Sequence, residues 1–312
     1  MAASSEDRAA APVIACIGDI DIDWLMQVDR LPAHDDKLPA HSLVRRPGGM
    51  AANVAVAVRR LGGESRLIGR VGDDPEGRDL LVHLRGEGVD VSRVATIAGE
   101  RTFQCLVFIG PEGERSLVRL PSALIVPGAV DIDEASLVGC SHVHLTFTDL
   151  TVTGHVAELA RGLGCSISID IEQTDLPRDP VDLKRLLASV DLAFMNRRTR
   201  HAAERHGAFD GFQGALVTTL GADGARFERS GVSIDSAGYK VAVRDTTGAG
   251  DAFAGAFLMS WLVDRDDPRT SLDRANRIAA HSTREIGAQT GVVEEAAFQG
   301  PGSAPLASRA RP

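Results

Sequence analysis

Apolar residues along this chain follow two alternating rhythms. Runs of five or six residues, mostly apolar, recur at 13–18, 66–71, 143–147, 166–171, 191–195 and 215–219. They suit strands buried on both faces. Helical spacing fills the gaps between them. Ala51, Val54, Ala55, Val58 and Leu61 follow Gly48-Gly49 and stop at Gly62-Gly63. Leu80, Leu81 and Leu84 point one way within 75–88, and further helices are predicted at 152–162, at 181–187 and just after 195. Strand alternating with helix predicts an α/β fold: a doubly wound, mostly parallel sheet with helices on both faces. Ligands of such sheets bind beyond the strand C-termini. Asp170, Asn196, Thr219 and Asp251 all fall at predicted strand ends or in the turns after them.

Two stretches break the rhythm. Residues 20–47 and 101–120 read as hairpins, the second around the turn Gly110-Pro111-Glu112-Gly113. Together they predict a small antiparallel sheet of four or five strands. Such a sheet cannot bury both faces alone, so it should cover a cleft as a lid or pair with a second copy.

Composition narrows the partners. At 312 residues, 44% hydrophobic and 25% charged, the chain is an ordinary globular one, and a net charge of −9 argues against nucleic acid. Cys16, Cys105, Cys140 and Cys165 are scattered with no CxxC pair, which argues against zinc and disulfides and fits a cytoplasmic protein. No stretch has the length and apolarity of a membrane span. Residues 13–298 read as one domain with the lid inserted. Residues 1–12 and 299–312 read as tails, the first lacking the apolar segment of a signal peptide.

The richest chemistry lies in Asp245-Thr246-Thr247-Gly248-Ala249-Gly250-Asp251. A β-type run at 236–244 leads in and an apolar helical run at 252–263 follows. A glycine-rich turn at a helix N-terminus offers unpaired N–H groups and the positive end of the helix dipole to an anion. A carboxylate at Asp251 would repel that anion. The conflict resolves if Asp251 accepts a proton from a hydroxyl while the N–H groups hold the phosphoryl group which that hydroxyl attacks. A dinucleotide fingerprint is excluded because Phe253 stands where its third glycine belongs, and no GxxxxGK[ST] loop occurs.

This turn, together with Gly48-Gly49-Met50-Ala51-Ala52-Asn53 and the segment from Ile68 to Gly77, resembles the ribokinase, or PfkB, family of carbohydrate and nucleoside kinases over roughly 13–298. The resemblance implies ATP-dependent transfer to a hydroxyl of a small sugar, a pentose, ketohexose or sugar acid. Asp251 is then the base, with Gly248, Ala249 and Gly250 as the anion hole. It implies sugar contacts at Asp21, Asp23, Gly49 and Asn53; nucleotide contacts at Asn196, Thr219, Gly221, Gly224 and Asn276; Mg²⁺ with the ATP; and, in many members, a monovalent cation such as K⁺ near Asp245 and Thr247. Homodimers through the lid are common in the family.

The chain departs from the family pattern in places. Asn196 lacks the glutamate that usually follows three residues on, so it reads equally as a helix cap, and Asp170 or Glu172 becomes the alternative metal-side acid. Threonines at 146 and 148 stand where ribokinase has a sugar-binding glutamate, so ribose itself is not indicated. A nucleoside kinase and a non-catalytic sugar- or nucleotide-binding protein remain the alternatives. Only 4% aromatic content, with one tyrosine, favours sugar over nucleobase. Arg45, Arg46 and Arg119 read as lid charges or as readers of a substrate anion.

Overall fold

The structure, a computed structural model, describes residues 12–205 and 207–292. The expected tails, Pro12 apart, and the last residues of the 13–298 range lie outside them. In chain order the strands are β1 (Val13–Ile17), β2 (Asp21–Val28), β3 (Ala40–Gly48), β4 (Glu64–Gly72), β5 (Asp90–Ile97), β6 (Phe103–Ile109), β7 (Arg115–Arg119), β8 (Cys140–Leu145), β9 (Ser166–Ile171), β10 (Leu192–Asn196), β11 (Ala215–Thr219), β12 (Ala225–Arg229) and β13 (Val232–Ser236). The helices are α1 (Met50–Arg60), α2 (Pro75–Gly86), α3 (Glu134–Leu137), α4 (Leu150–Gly162), α5 (Pro180–Ala188), α6 (Arg197–Glu204), α7 (Ala249–Leu258) and α8 (Pro268–Ser282).

Nine strands form the main sheet in the order β13-β12-β11-β10-β9-β8-β1-β4-β5. Pairing is parallel from β5 to β11, and β12 and β13 close that edge antiparallel. Alternate side chains of each strand feed two cores. One packs Ile14, Cys16, Phe194 and Val217 against α1, α7 and α8; the other packs Ala15, Ile17, Val143 and Ile169 against α4 and α5. The strands are buried on both faces, which explains why their sequences are continuously apolar. Gly255 lets α7 approach α1: a Cβ there would lie 2.7 Å from the Cβ of Ala57.

The lid is a separate sheet, β3-β2-β6-β7. Each hairpin, β2–β3 and β6–β7, is antiparallel as expected, and the seam between them, β2 on β6, is parallel. Its inner face carries Asp21, Asp23 and Leu25 beside Phe103, Cys105 and Val107, all buried.

Two expectations from sequence change, and two elements are added. The run 236–244 is not a strand: the ladder ends at Ser236, and the chain crosses the Gly221–Gly224 turn so closely that a Cβ on Gly238 would sit 2.4 Å from the Ala222 carbonyl oxygen. The β12–β13 hairpin, an element not expected from sequence, precedes that run. It turns through Ser230 and Gly231, both at positive φ, the backbone a two-residue hairpin needs. Strand β5 is an added edge whose half-exposed side chains carry no clear alternation. The helix expected at 252–263 begins at Ala249 and ends in a π-turn, Met259–Val263.

Candidate active site

The C-terminal ends of the parallel strands, the N-termini of α1 and α7 and the inner lid face meet around one cleft. Gly48 and Gly49 enter it first. Gly49 has φ 94° and passes so close to Asp19 that a Cβ would lie 2.5 Å from its carbonyl oxygen. A Cβ on Gly48 would lie 2.2 Å from Asp21 Oδ1 and 2.5 Å from Asp23 Oδ2, so both carboxylates gather over its bare Cα. Asp19 caps α1 from outside the helix: its oxygens accept from the backbone N–H of Met50 at 3.1 Å and of Ala51 at 3.4 Å, and from the Thr146 hydroxyl at 3.0 Å.

The second glycine turn starts α7. Gly248 is left-handed, φ 73°, and a Cβ would strike Ala288 at 2.5 Å, so glycine is required twice over. Among the described residues the N–H groups of Gly248, Gly250 and Asp251 have no protein acceptor, whereas that of Ala249 is spent on the Thr246 carbonyl at 3.3 Å. Free donors at this helix start are therefore Gly248, Gly250 and Asp251, a partial correction to the expected Gly248-Ala249-Gly250 set. Asp251 sits in the first turn, 7% exposed, and accepts from Asn53 Nδ2 at 2.7 Å. Gln289 Nε2 in turn donates to Asn53 Oδ1 at 2.9 Å.

The cleft is rich in acid. Burial, opposed by the Asn53 hydrogen bond, pushes Asp251 up to about 7. Burial also carries Asp23 to about 7 against the pull of Arg115, and burial with the Asp23 and Asp19 charges raises Asp21 well above the carboxylate range. Withdrawal from water raises Asp19, Glu172 and, well above its usual range, Asp170. Among the described residues Asp21 Oδ1 is buried with no hydrogen-bond partner, and its other oxygen accepts only from the Cys105 thiol at 3.4 Å. Asp21, Asp23 and Cys105 each bring a donor atom within 4.8 Å of the others. Asp245, by contrast, is saturated. It accepts from the Thr247 N–H at 2.8 Å, the Thr247 hydroxyl at 2.6 Å and the Gly287 N–H at 2.8 Å, and so braces this turn against the 287 loop.

Asp21, Asp23, Gly49, Asn53, Gly248, Ala249, Gly250 and Asp251 thus share one cleft. Thr219 ends β11 and leads into Gly221 and Gly224, both at positive φ. Asn276 donates to the Ser236 and Ala237 carbonyls at 3.2 and 3.3 Å, joining α8 to the strand end beside that turn. Asn196 caps α6: its Oδ1 accepts from the Thr199 N–H at 2.9 Å and hydroxyl at 3.1 Å, the capping alternative of the sequence reading. Arg45 pairs with Asp79 at 2.7 Å, Arg119 with Asp175 at 2.9 Å, and Arg46 donates to the Arg45 carbonyl at 3.3 Å. Sequence reasoning passed over Asp19, Gln289 and the electrostatic reach of Arg115 into the cleft. Asp19 adjoins Gly18 at a strand end, a readable signal, whereas Gln289 is 236 positions from the residue it orients and gives none.

Comparison with known proteins extends this picture. The family described as pfkB family carbohydrate kinase matches residues 12–296. An ATP-dependent ribose-1-phosphate kinase of Halopiger xanaduensis is 31% identical over 89% of this chain and 94% of its own. A nucleoside kinase of Methanothermobacter thermautotrophicus is 26% identical over 92% and 93%. A fructokinase double mutant from Vibrio cholerae O395, in its fructose-, ADP- and potassium-bound form, superposes with a TM-score of 0.76 at 25% identity, covering 93% of this chain and 98% of the other.

Proposed function

This chain belongs to the pfkB family of carbohydrate kinases, and from that premise we propose that it moves the γ-phosphate of ATP to a hydroxyl of a small sugar: a pentose, a ketohexose or a sugar acid. The observation that carries the reading is Asp251, held by Asn53 at 2.7 Å beside unpaired N–H groups at the start of α7. The acceptor hydroxyl meets Asp251, which takes its proton as the hydroxyl attacks in line. The N–H groups of Gly248, Gly250 and Asp251 hold the transferring phosphoryl oxygens, a role in which fixed donors need no reorganisation. A base near neutrality suits the chemistry, although a loose transition state asks little of it.

Asp21 and Asp23 serve the remaining hydroxyls. An orphaned buried carboxylate oxygen is an acceptor waiting for a donor, and polyol hydroxyls are donors. Trp24, one residue along β2, faces the other side of the lid and bonds to Gln104 at 2.9 Å, so it offers the cleft no base-stacking platform. That favours a sugar over a nucleoside. The adenosine part lies over Thr219, Gly221 and Gly224 near Asn276. Mg²⁺ enters with the nucleotide: Asp170 and Glu172 present the hard oxygen donors it prefers, while Asn196 is committed to its helix. K⁺ is proposed near Asp245 and Thr247, with Asp245 holding the loop that would carry its carbonyl ligands.

The outer lid face presents Met26, Leu43, Leu106, Phe108 and Val118, with Leu43 60% exposed, while Trp24 packs against the main core. A second copy of the lid would cover it, giving a homodimer, and a monomer mass at micromolar concentration would remove that part of the reading. A cytoplasmic location accords with four free cysteines, and no helix among the described residues is long and apolar enough to cross a membrane.

The test is ATP consumption with Mg²⁺ and K⁺ over pentoses, ketohexoses, sugar acids, phosphosugars and nucleosides, with Asp251→Asn beside the wild type. Turnover on one sugar class, abolished in the variant, is expected. Ligand-induced stabilisation without turnover would favour a binding protein instead.

A further inference from the structure

The side chain that holds Asp251 is itself held from outside the cleft. Gln289 Nε2 donates to Asn53 Oδ1 at 2.9 Å, and His83 Nε2 meets Gln289 Oε1 at 2.8 Å. An amide oxygen only accepts, so the His83 proton of this contact is on Nε2. All three N–H groups of the chain His83–Gln289–Asn53–Asp251 then point toward the carboxylate, and aligned bonds in a buried setting polarise one another. The far end is anchored too. Arg60 donates to the backbone carbonyls of Gln289 and, at 3.0 Å, of Val292, and pairs with Glu87 at 2.7 Å. The four side chains come from α2, the segment after α8, α1 and α7, and Gln289, Asn53 and Asp251 are buried.

We propose that Gln289, with His83 behind it, is a positioning residue for the base: it locks the Asn53 amide so that its N–H, and not its carbonyl, faces Asp251. The inference rests on the reading of Asp251 as the base. A half-turn of the Asn53 amide would set an oxygen against the carboxylate and turn attraction into repulsion. The Gln289 donor forbids that half-turn, because it would then face an NH₂ group. With Oδ2 held, Asp251 keeps Oδ1, which accepts no hydrogen bond among the described residues, for the acceptor hydroxyl. Asn53 accordingly acts on the base, with both its polar side-chain atoms engaged within the protein. The other charged groups facing Asp251 are Asp19, Asp21, Asp170, Glu172 and Arg115, none of them part of this chain of bonds.

The decisive experiment is a ¹³C titration of the Asp251 carboxyl in the ligand-free full chain, its signal assigned by its loss in Asp251→Asn. Wild type, Gln289→Leu, Asn53→Ala and the double variant are compared. The Asp251 midpoint should rise in Gln289→Leu toward that of Asn53→Ala, and the double variant should match Asn53→Ala alone. A midpoint unmoved in Gln289→Leu but raised in Asn53→Ala overturns the proposal, as does additivity in the double variant. If Gln289→Leu does not fold, His83→Leu, at the half-buried end of the chain of bonds, takes its place, with a smaller rise expected and no rise overturning the proposal. In turnover, Gln289→Leu should lose roughly 10-fold in kcat at unchanged KM for ATP, a fraction of what a general base contributes. A wild type inert toward every acceptor would remove the kinase reading, while the titration still decides whether Gln289 sets the carboxyl.

Discussion

Two clusters of buried ionisable groups lie in this molecule, and they are built on opposite terms. One is inside the main sheet. His142 on β8 meets the Ser166 and Ser168 hydroxyls of β9 at 2.7 Å through its two ring nitrogens, and His144 meets Ser168 at 2.7 Å. Burial lowers both histidines to about 3, so they are neutral, and neutral imidazole needs one donor and one acceptor, which hydroxyls supply. Among the described residues a single atom of this cluster, His144 Nε2, lacks a partner, and the His144 ring stands edge-on to Phe194 at 5.8 Å. The other cluster is the cleft, where Asp19, Asp21, Asp23, Asp170, Glu172 and Asp251 face one another, with Arg115 and, at Glu172, Arg119 as cations reaching in. Protein donors there are too few for the oxygens present. The contrast separates a neutral polar cluster that lacks one partner from an acidic one that lacks most of its donors until a ligand brings them.

Breaking the cleft should cost activity first. Asp251→Asn should lower kcat by at least ~100-fold, the usual contribution of a positioned base, with ATP affinity measured by calorimetry little changed. Asp21→Asn should act next and in two directions. Replacing an orphaned buried carboxylate by an amide relieves repulsion with Asp23, so the ligand-free protein should melt higher, by the equivalent of about 1–3 kcal/mol. The same change should raise KM for the sugar, because an acceptor is replaced by a donor. A ligand-free protein that melts lower would mean that Asp21 is satisfied in the folded chain.

How much of this was legible in the sequence follows from the same contrast. The parallel strands, α1 and α7 were readable because burial on two faces, or along one stripe, leaves a periodic mark in the residues themselves. The glycine turns were readable because Gly48, Gly49 and Gly248 sit where a Cβ would strike a neighbour, so local geometry fixes their identity. The Ser230-Gly231 hairpin carried a signal that went unread. What local sequence does not encode is who partners whom across the fold. Asn196 as a cap, Asp245 as a brace and Gln289 behind Asn53 depend on contacts 3, 42 and 236 positions apart, and only the first of these was within reach of a local rule. The serine partners of His142 and His144 on the next strand are likewise a matter of register.

Breaking the histidine cluster should cost stability and leave chemistry alone. Ser168→Ala removes a hydroxyl shared by two imidazoles, and the orphaned nitrogens should cost about 1–3 kcal/mol, read as a lower melting midpoint, with kcat and KM unchanged. A fall in kcat without loss of stability would join the two clusters that the comparison keeps apart.

The smallest effect expected is in the pH dependence of stability, where the two clusters pull in opposite directions. The histidines have folded-state values below the ordinary 6.5, so their contribution is full above 6.5 and is lost as pH falls toward about 3, where the folded imidazoles take up protons. Asp23 and Asp251 have folded-state values above the ordinary 3.8. Their contribution is full below 3.8 and is lost as pH rises through about 7, where the unfolded chain has long been ionised and the folded cleft must become so. Melting midpoints of the ligand-free protein from pH 4 to pH 8, with Asp21→Asn/Asp23→Asn beside it, read the two separately. The double variant should show a shallower decline toward alkaline pH, since Asp251 still contributes to it, and keep the decline toward acid. If the alkaline decline is unchanged in the double variant, Asp21 and Asp23 are already compensated in the ligand-free protein, and the distinction between the two clusters fails at its own premise.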